Sequence, residues 1–226
     1  MSILAVILFA AILHASWNAF IKNKGNGFIK MVILATTISF FMIPLLFYVG
    51  LPSYTTFIYL FFGVLAQTIY MHSLSQAYSL SDFSIAYPFS RSLATLLTVA
   101  LLIFVFNNTI SINEIIAISI IISGIFILFV SKENTVNKKS LLILLYFSIS
   151  ITFYTLVDSY AVRAVDHAMQ YIVWLFFLIP FPVLIYSLNN NKQLLIKTFQ
   201  ENKLALIIAA IGSFISYALI LWAYTQ

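Results

Sequence analysis

Arg91 follows Tyr87 by four positions, one turn of a helix, so the two side chains project together. Pro88 lies between them, and Asp82 stands ahead of the apolar run that all three open. Arg91 is then roughly 10 Å along its helix from the start. A cation at that depth attracts an anionic group on a solute or holds a buried carboxylate. Asp158 is the best candidate for that carboxylate, with Tyr154 one turn before it on the same face. An exposed interfacial position near the end of its run is the competing reading. On the first apolar run His14, Asn18 and Lys22 recur every four residues beside Trp17, and Ala11, Ala15 and Ala19 form a second, small-residue stripe. Small side chains let another helix approach closely, which leaves the polar stripe to face an aqueous cavity. Trp17 and Lys22 also suit interfacial anchors, and Lys22 is read as one.

The third run carries Gln67, Tyr70, His72, Ser75, Gln76 and Tyr78, more polar atoms than a lipid-facing helix can hide. Gln67 and Tyr70 share one face, and His72 and Gln76 another. His72 is read as a hydrogen-bonded packing residue, and Asp82 or Ser81 as a cap for the following helix. No catalytic constellation appears. There is no Gly-x-Ser-x-Gly elbow, no His-Glu-x-x-His pair and no phosphate-cradling glycine loop, and the three histidines are dispersed. With no cysteine there are no disulfides or thiolate metal ligands. No enzyme activity, catalytic residue, cofactor or metal site is expected.

The elements that position these residues follow from composition. The chain is 63% hydrophobic and 8% charged, with a mean hydropathy of +1.07, which excludes a soluble globular domain. A spanning helix needs roughly 20 mostly apolar residues. Eight such spans are predicted at about 2–20, 28–48, 57–78, 85–106, 112–130, 141–161, 169–188 and 204–224. Unbroken runs such as 101–106 and 115–122 do not alternate, which excludes a transmembrane β-barrel. The fold class expected is an all-α membrane bundle. No basic residue precedes the first span and no small-residue cleavage pattern follows it, so it is expected to be retained.

The formal charge of +5 comes mainly from basic residues in the breaks between spans, so no nucleic-acid binding is expected. Lys22, Lys24 and Lys30 follow the first span, Lys132, Lys138 and Lys139 the fifth, and Lys192, Lys197 and Lys203 the seventh. Arg163 is the one basic residue after the sixth, and none follows the second or fourth. By the positive-inside rule the odd-numbered breaks are cytoplasmic and the amino terminus is outside.

The charged stretch at 132–139 separates a five-span part, 1–131, from a three-span part, 140–226. Lys22 after Trp17 and Asn18 corresponds to Arg163 after Asp158 and Ser159, an offset of 141 residues; Tyr78 corresponds to Tyr224, an offset of 146. A duplicated unit with an odd number of spans must have its copies in opposite orientation, the inverted-repeat plan of many secondary transporters. The second copy then lacks counterparts of the fourth and fifth spans. The chain is read as a carboxy-terminally shortened ten-span protein, against a complete eight-span protein with chance similarities. Such shortening is expected to lower stability or to recruit a second copy as a homodimer.

Taken together, Leu13 to Asn18 with Lys22, Ala77 and Tyr78 with Asp82, Ser84 and Ala86 to Pro88 leading to Arg91, and Tyr154 to Asp158 leading to Arg163 resemble the EamA-type transporters of the drug/metabolite transporter superfamily. The resemblance covers essentially the whole chain in order. It implies ten spans in two inverted five-helix repeats, a central cavity, and movement of small metabolites or amphipathic compounds across the cytoplasmic (inner) membrane. The family is drawn with a cytoplasmic amino terminus, opposite to the lysine count. The function expected is a secondary transporter working by alternating access on a small-molecule substrate. Its site would be lined by His14, Trp17, Asn18, Tyr70, Tyr87, Arg91, Tyr154 and Asp158, and Asp158 or His14 would couple transport to protons. The alternative is a lipid-handling or assembly subunit without solute coupling, for which membrane lipid is the partner.

Overall fold

The computed structural model describes residues 3–22, 25–105, 107, 109–131 and 137–225, without the side chains of residues 22 and 128–131. Lys24, Lys132 and most of the linker read at 132–139 lie outside the described residues. Among the described residues every regular element is a helix: α1 (Ile3–Lys22), α2 (Gly27–Val49), α3 (Tyr54–Leu80), α4 (Phe83–Phe104), α5 (Ile112–Ser131), α6 (Lys138–Ala164), α7 (Ala168–Leu178) and α8 (Pro180–Ala223). Six helical segments are long and apolar enough to cross a bilayer, with Ala168–Ala223 counted as one; Ile112–Ile127 is apolar but shorter. Large apolar side chains stand on the outside, Phe47 at 87% exposure among them, as a bilayer rather than water requires. The protein is a helical membrane protein.

Short polar residues start these helices by satisfying free amides. The Asn26 side chain accepts from Ile29 N at 3.1 Å, and Asn137 Oδ1 accepts from Ser140 N at 2.8 Å. Ser111 and Glu114 bond reciprocally at the start of α5, Ser111 N to Glu114 Oε2 at 2.7 Å and Glu114 N to Ser111 Oγ at 3.3 Å. Asp82 departs from expectation: it occupies the N-cap position of α4, yet its carboxylate makes no capping bond. Its backbone carbonyl accepts from Ile85 N and Ala86 N instead. Pro88 lies inside α4, where it removes the helical bond to the Ser84 carbonyl.

The described chain divides into two compact units, Met1–Met71 with Val157–Gln226 and His72–Leu156, the division falling within α3 and α6. In the first unit α8 packs on α1 and α2, and α2 also packs on α7. Ile29, Ile33 and Leu206 form a buried cluster there, covered by Phe20, Phe28, Leu195 and Phe199. Within the read span 169–188, α7 ends at Leu178 and α8 begins at Pro180, whose ring cannot donate to the preceding turn, while Ile179 between them keeps helical angles (φ −46°, ψ −46°) and the apolar helical segment runs on. Polar residues 189–203, read as a break, are mostly helical, with non-helical backbone only at Asn191 (φ −139°, ψ 27°) and Asn202 (φ −126°, ψ 17°).

The end of α2 shows how the first unit satisfies its backbone. Gly50 turns the chain with φ +69°, a conformation open to glycine. The carbonyls it leaves are taken up by α7: Gln170 Nε2 donates to Val49 O and Leu51 O at 2.9 Å each, and Trp174 Nε1 to Gly50 O at 2.8 Å. Lys30, read as a loop charge, sits buried in the first turn of α2, its Nζ 3.4 Å from Phe20 O and 5.0 Å from the Phe20 ring centroid. A cation at the carboxyl end of α1 complements the helix dipole. Arg163 does the same for α8, its Nε donating to Tyr224 O at 2.9 Å.

In the second unit α4 packs on α5, and hydroxyl bonds join its helices. Ser73 and Ser150 share a bond at 2.6 Å, Thr152 donates to Ala94 O at 3.2 Å, and Ser140 to Leu80 O at 3.1 Å. Side-chain hydroxyls and backbone carbonyls are the usual adhesives of helices that pack in lipid.

Candidate functional site

Asp158 lies on the buried stripe of α6 and is fully enclosed, so the exposed interfacial reading does not hold. Three other helices supply hydrogen bonds to its carboxylate. Tyr171 of α7 donates its phenol to Oδ1, and Tyr217 of α8 donates to Oδ2. Gln67 of α3 donates Nε2 to Oδ2 at 3.0 Å and lies at the same distance from the Tyr217 hydroxyl. The carboxylate that the sequence offered as a partner for Arg91 thus takes an amide and two phenols of its own unit. All three donors are neutral, so the group is hydrogen-bonded with no cation among them, which is an expensive arrangement in a low-dielectric interior.

Local sequence explains how these donors arrive. Gly63 is one turn before Gln67 on the buried face of α3, and a Cβ built there would come within 2.5 Å of Tyr171 Oη, 2.9 Å of Leu175 Cδ1 and 3.2 Å of Asp158 Oδ1. Only glycine leaves room for the phenol to reach the carboxylate. Phe176 meets the Tyr217 ring edge-on at 5.7 Å between centroids, which holds that side chain in register.

The second unit holds another set. Arg91 Nη1 donates to Tyr154 Oη at 2.8 Å, and its guanidinium carbon lies 5.8 Å from the Tyr87 ring centroid. Tyr87 is in turn stacked on Phe83 at 5.2 Å. Tyr154 is buried, while Arg91 is half-buried. A fixed cation flanked by two phenols can bind a carboxylate or phosphate and enclose an aromatic or apolar group beside it.

The remaining predicted residues lie in the first unit. His14 and Trp17 meet edge-on at 4.9 Å, and both are buried. The Trp17 indole N–H has no acceptor among the described residues. Asn18 is fully buried and donates to its own helix, to His14 O at 2.8 Å. Tyr70 is buried one turn beyond Gln67. His72, in the second unit, is exposed, with Nδ1 3.4 Å from Tyr146 Oη and Nε2 3.3 Å from Gln76 Nε2.

Sequence reasoning missed Gly63, Tyr171 and Tyr217, and it left Gln67 outside the site. The signal for Gln67 was present, a carboxamide in the middle of an apolar run. Tyr171 and Tyr217 gave none, because tyrosine occurs 13 times in the chain. Comparison with protein-family models, with curated proteins and with solved structures gives no match for this chain.

Proposed function

We propose that this protein is a secondary transporter that moves a small organic solute across the cytoplasmic membrane by alternating access. The observation that carries the reading is Asp158, an ionisable group fully buried in a candidate span and held by donors from three other helices. Ionisable groups persist inside membranes where they serve a pathway for ions, protons or solutes. Asp158 takes the role of the group that exchanges a proton or a cationic moiety, with Tyr171, Tyr217 and Gln67 reorienting as it does so. Arg91, with Tyr87 and Tyr154, recognises an anionic moiety.

The finer architecture belongs to the same reading. A helical segment of 56 residues, Ala168–Ala223, is about 84 Å long at 1.5 Å per residue, far more than one crossing of a ~30 Å core. Its breaks at Pro180, Asn191 and Asn202 suit two crossings joined by a bend. With α5 counted, the chain has eight spans, which accord with the EamA-type resemblance and its inverted repeat.

Counterflow into proteoliposomes tests the function: vesicles preloaded with a metabolite mixture are diluted into labelled mixture, and uptake is read by mass spectrometry. The protein is expected to accumulate a restricted set of solutes, with uptake lost in Asp158→Asn and reduced at least tenfold in Arg91→Ala. Uptake by both variants equal to that of the parent would refute the assigned roles. Redistribution of labelled lipid without any solute uptake would establish the lipid-handling alternative instead.

A further inference from the structure

The bend in α8 between Asn191 and Asn202 carries two features that the transport reading does not use. Its inner side helps to form a partly open cleft of about 620 Å³ against α2, within the range of ligand sites. Thr36, Thr37 and Phe40 of α2 line one wall, and Leu195, Ile196 and Phe199 of the bend line the other. The two threonine hydroxyls donate to carbonyls of their own helix, Val32 O at 2.7 Å and Ile33 O at 2.8 Å, so neither has a free proton to donate to a ligand. Phe40 is 70% exposed, so this wall reaches the lipid-facing surface.

The bend and its ends also bear Lys192, Lys197 and Lys203 against a single acid, Glu201. Lys197 and Glu201 are largely exposed, with 3.9 Å between Nζ and Oε1, a loose pair that leaves the segment net basic. Lysines flanking a membrane helix attract anionic headgroups, while their stems lie along apolar surface.

A second cleft serves as an internal comparison. It has about 530 Å³ and is lined by Leu46, Phe47, Leu51, Trp174 and Phe177 among others. No Lys or Arg occurs between residues 31 and 90 or between 164 and 191, so this second cleft has no basic residue nearby in the chain. The exposed Lys192, Lys197 and Lys203 adjoin the lining of the first cleft in sequence, four residues before Ile196, next to it and four after Phe199, whereas no basic residue adjoins the lining of the second in this way.

We propose that the cleft between α2 and the α8 bend binds an anionic phospholipid, with an acyl chain in the cleft and the phosphate on Lys192, Lys197 and Lys203. Charge complementarity with a continuous apolar wall selects this occupant over a neutral lipid or a free anion: a zwitterionic headgroup has no net charge for the lysines, and a free anion gains nothing from the wall. The site is independent of the transport reading.

The test uses the full chain in nanodiscs, with photoactivatable phosphatidylglycerol or phosphatidylcholine carrying a diazirine on the acyl chain, and adducts mapped by mass spectrometry. Phosphatidylglycerol is expected to label residues 33–41 and 184–207 preferentially, by roughly fivefold for each lysine engaged. The preference should vanish in Lys192→Gln/Lys197→Gln/Lys203→Gln, while labelling of residues 43–51 and 174–177 stays indifferent to headgroup. On the unmodified protein, raising salt should erode the same preference, since exposed charges are screened within about 10 Å at 0.1 M. Equal labelling by the two lipids in the unmodified protein at low salt would overturn the proposal. So would a preference confined to the second cleft, or competition by glycerol phosphate as effective as by the intact lipid.

Discussion

Gly63→Ala adds one methyl group at the point where α3 faces the Asp158 carboxylate. That methyl would stand 2.5 Å from Tyr171 Oη and 2.9 Å from Leu175 Cδ1, and both residues are fully buried and have little room to retreat. Overpacking of this kind costs about 1–3 kcal/mol. Pushing the phenol off the carboxylate forfeits a bond to a charged group, about 1.5–3 kcal/mol. The better helix propensity of alanine returns about 1 kcal/mol. The net loss is about 1.5–5 kcal/mol, and at about 2–4 °C per kcal/mol for a chain of this size the Tm should fall by about 3–20 °C. Gly124 and Gly212 supply the controls, because a Cβ at either meets nothing within 4 Å, and alanine there should be neutral or slightly stabilising.

Thermal unfolding in detergent, followed by loss of the monodisperse peak in size-exclusion chromatography, reads these differences. The double variant with Tyr171→Phe isolates the cause: without the hydroxyl the closest contact disappears, so Gly63→Ala should cost less in that background than in the parent. An unchanged Tm for Gly63→Ala, or strict additivity of the two substitutions, would refute the claim that this glycine exists to admit the phenol.

Two further outcomes follow from the hydrogen bonds. Asp158→Ala leaves three donors without their acceptor, the buried Gln67 and Tyr171 at about 1–3 kcal/mol each and the half-buried Tyr217 at less, and should unfold at a lower temperature than Asp158→Asn, which keeps one acceptor oxygen; the order of the two Tm values checks this. Gln170→Ala and Trp174→Phe each remove donors from the carbonyls at the end of α2, and each should cost about 1 kcal/mol, with faster hydrogen exchange confined to the last turn of α2 and the Gly50 turn.

The helical, membrane-embedded character of the chain is legible because it depends on run length alone, and Ile3–Lys22, Gly27–Val49 and Ile112–Ser131 lie within two residues of the spans read for them. The interruption at Pro180 was also available, since proline has no N–H to donate to the preceding turn, although Ile179 before it keeps helical angles (φ −46°, ψ −46°). The helical bend at 192–201 was not, because its Asn and Lys content has the composition of a loop. It stays helical where Leu195 and Phe199, one turn apart, cover the cluster formed by α2 and α8. At the site, Asp158 and Arg91 stood out because charge is rare, and the Tyr87 and Arg91 pair followed from spacing within one helix. The donors to Asp158 come from residues 13 to 91 positions away, and no local periodicity encodes a contact between helices at that separation.

A polar group in lipid has no water to fall back on, so whatever satisfies it must come from another helix or from its own backbone. In this protein the satisfying groups are also what holds helices together: phenols on a carboxylate, an indole and a carboxamide on the end of α2, a lysine on the end of α1. Apolar contacts contribute less to association between helices in a bilayer than in water, because lipid tails compete equally for the same surface. Asp158 therefore cannot be separated from the packing of α3, α6, α7 and α8, and any variant at the site changes stability together with activity. A loss of uptake in Asp158→Asn gains meaning only against the fraction of protein that remains folded. Its comparison with Asp158→Ala separates loss of charge, which the two share, from loss of the acceptor that joins four helices.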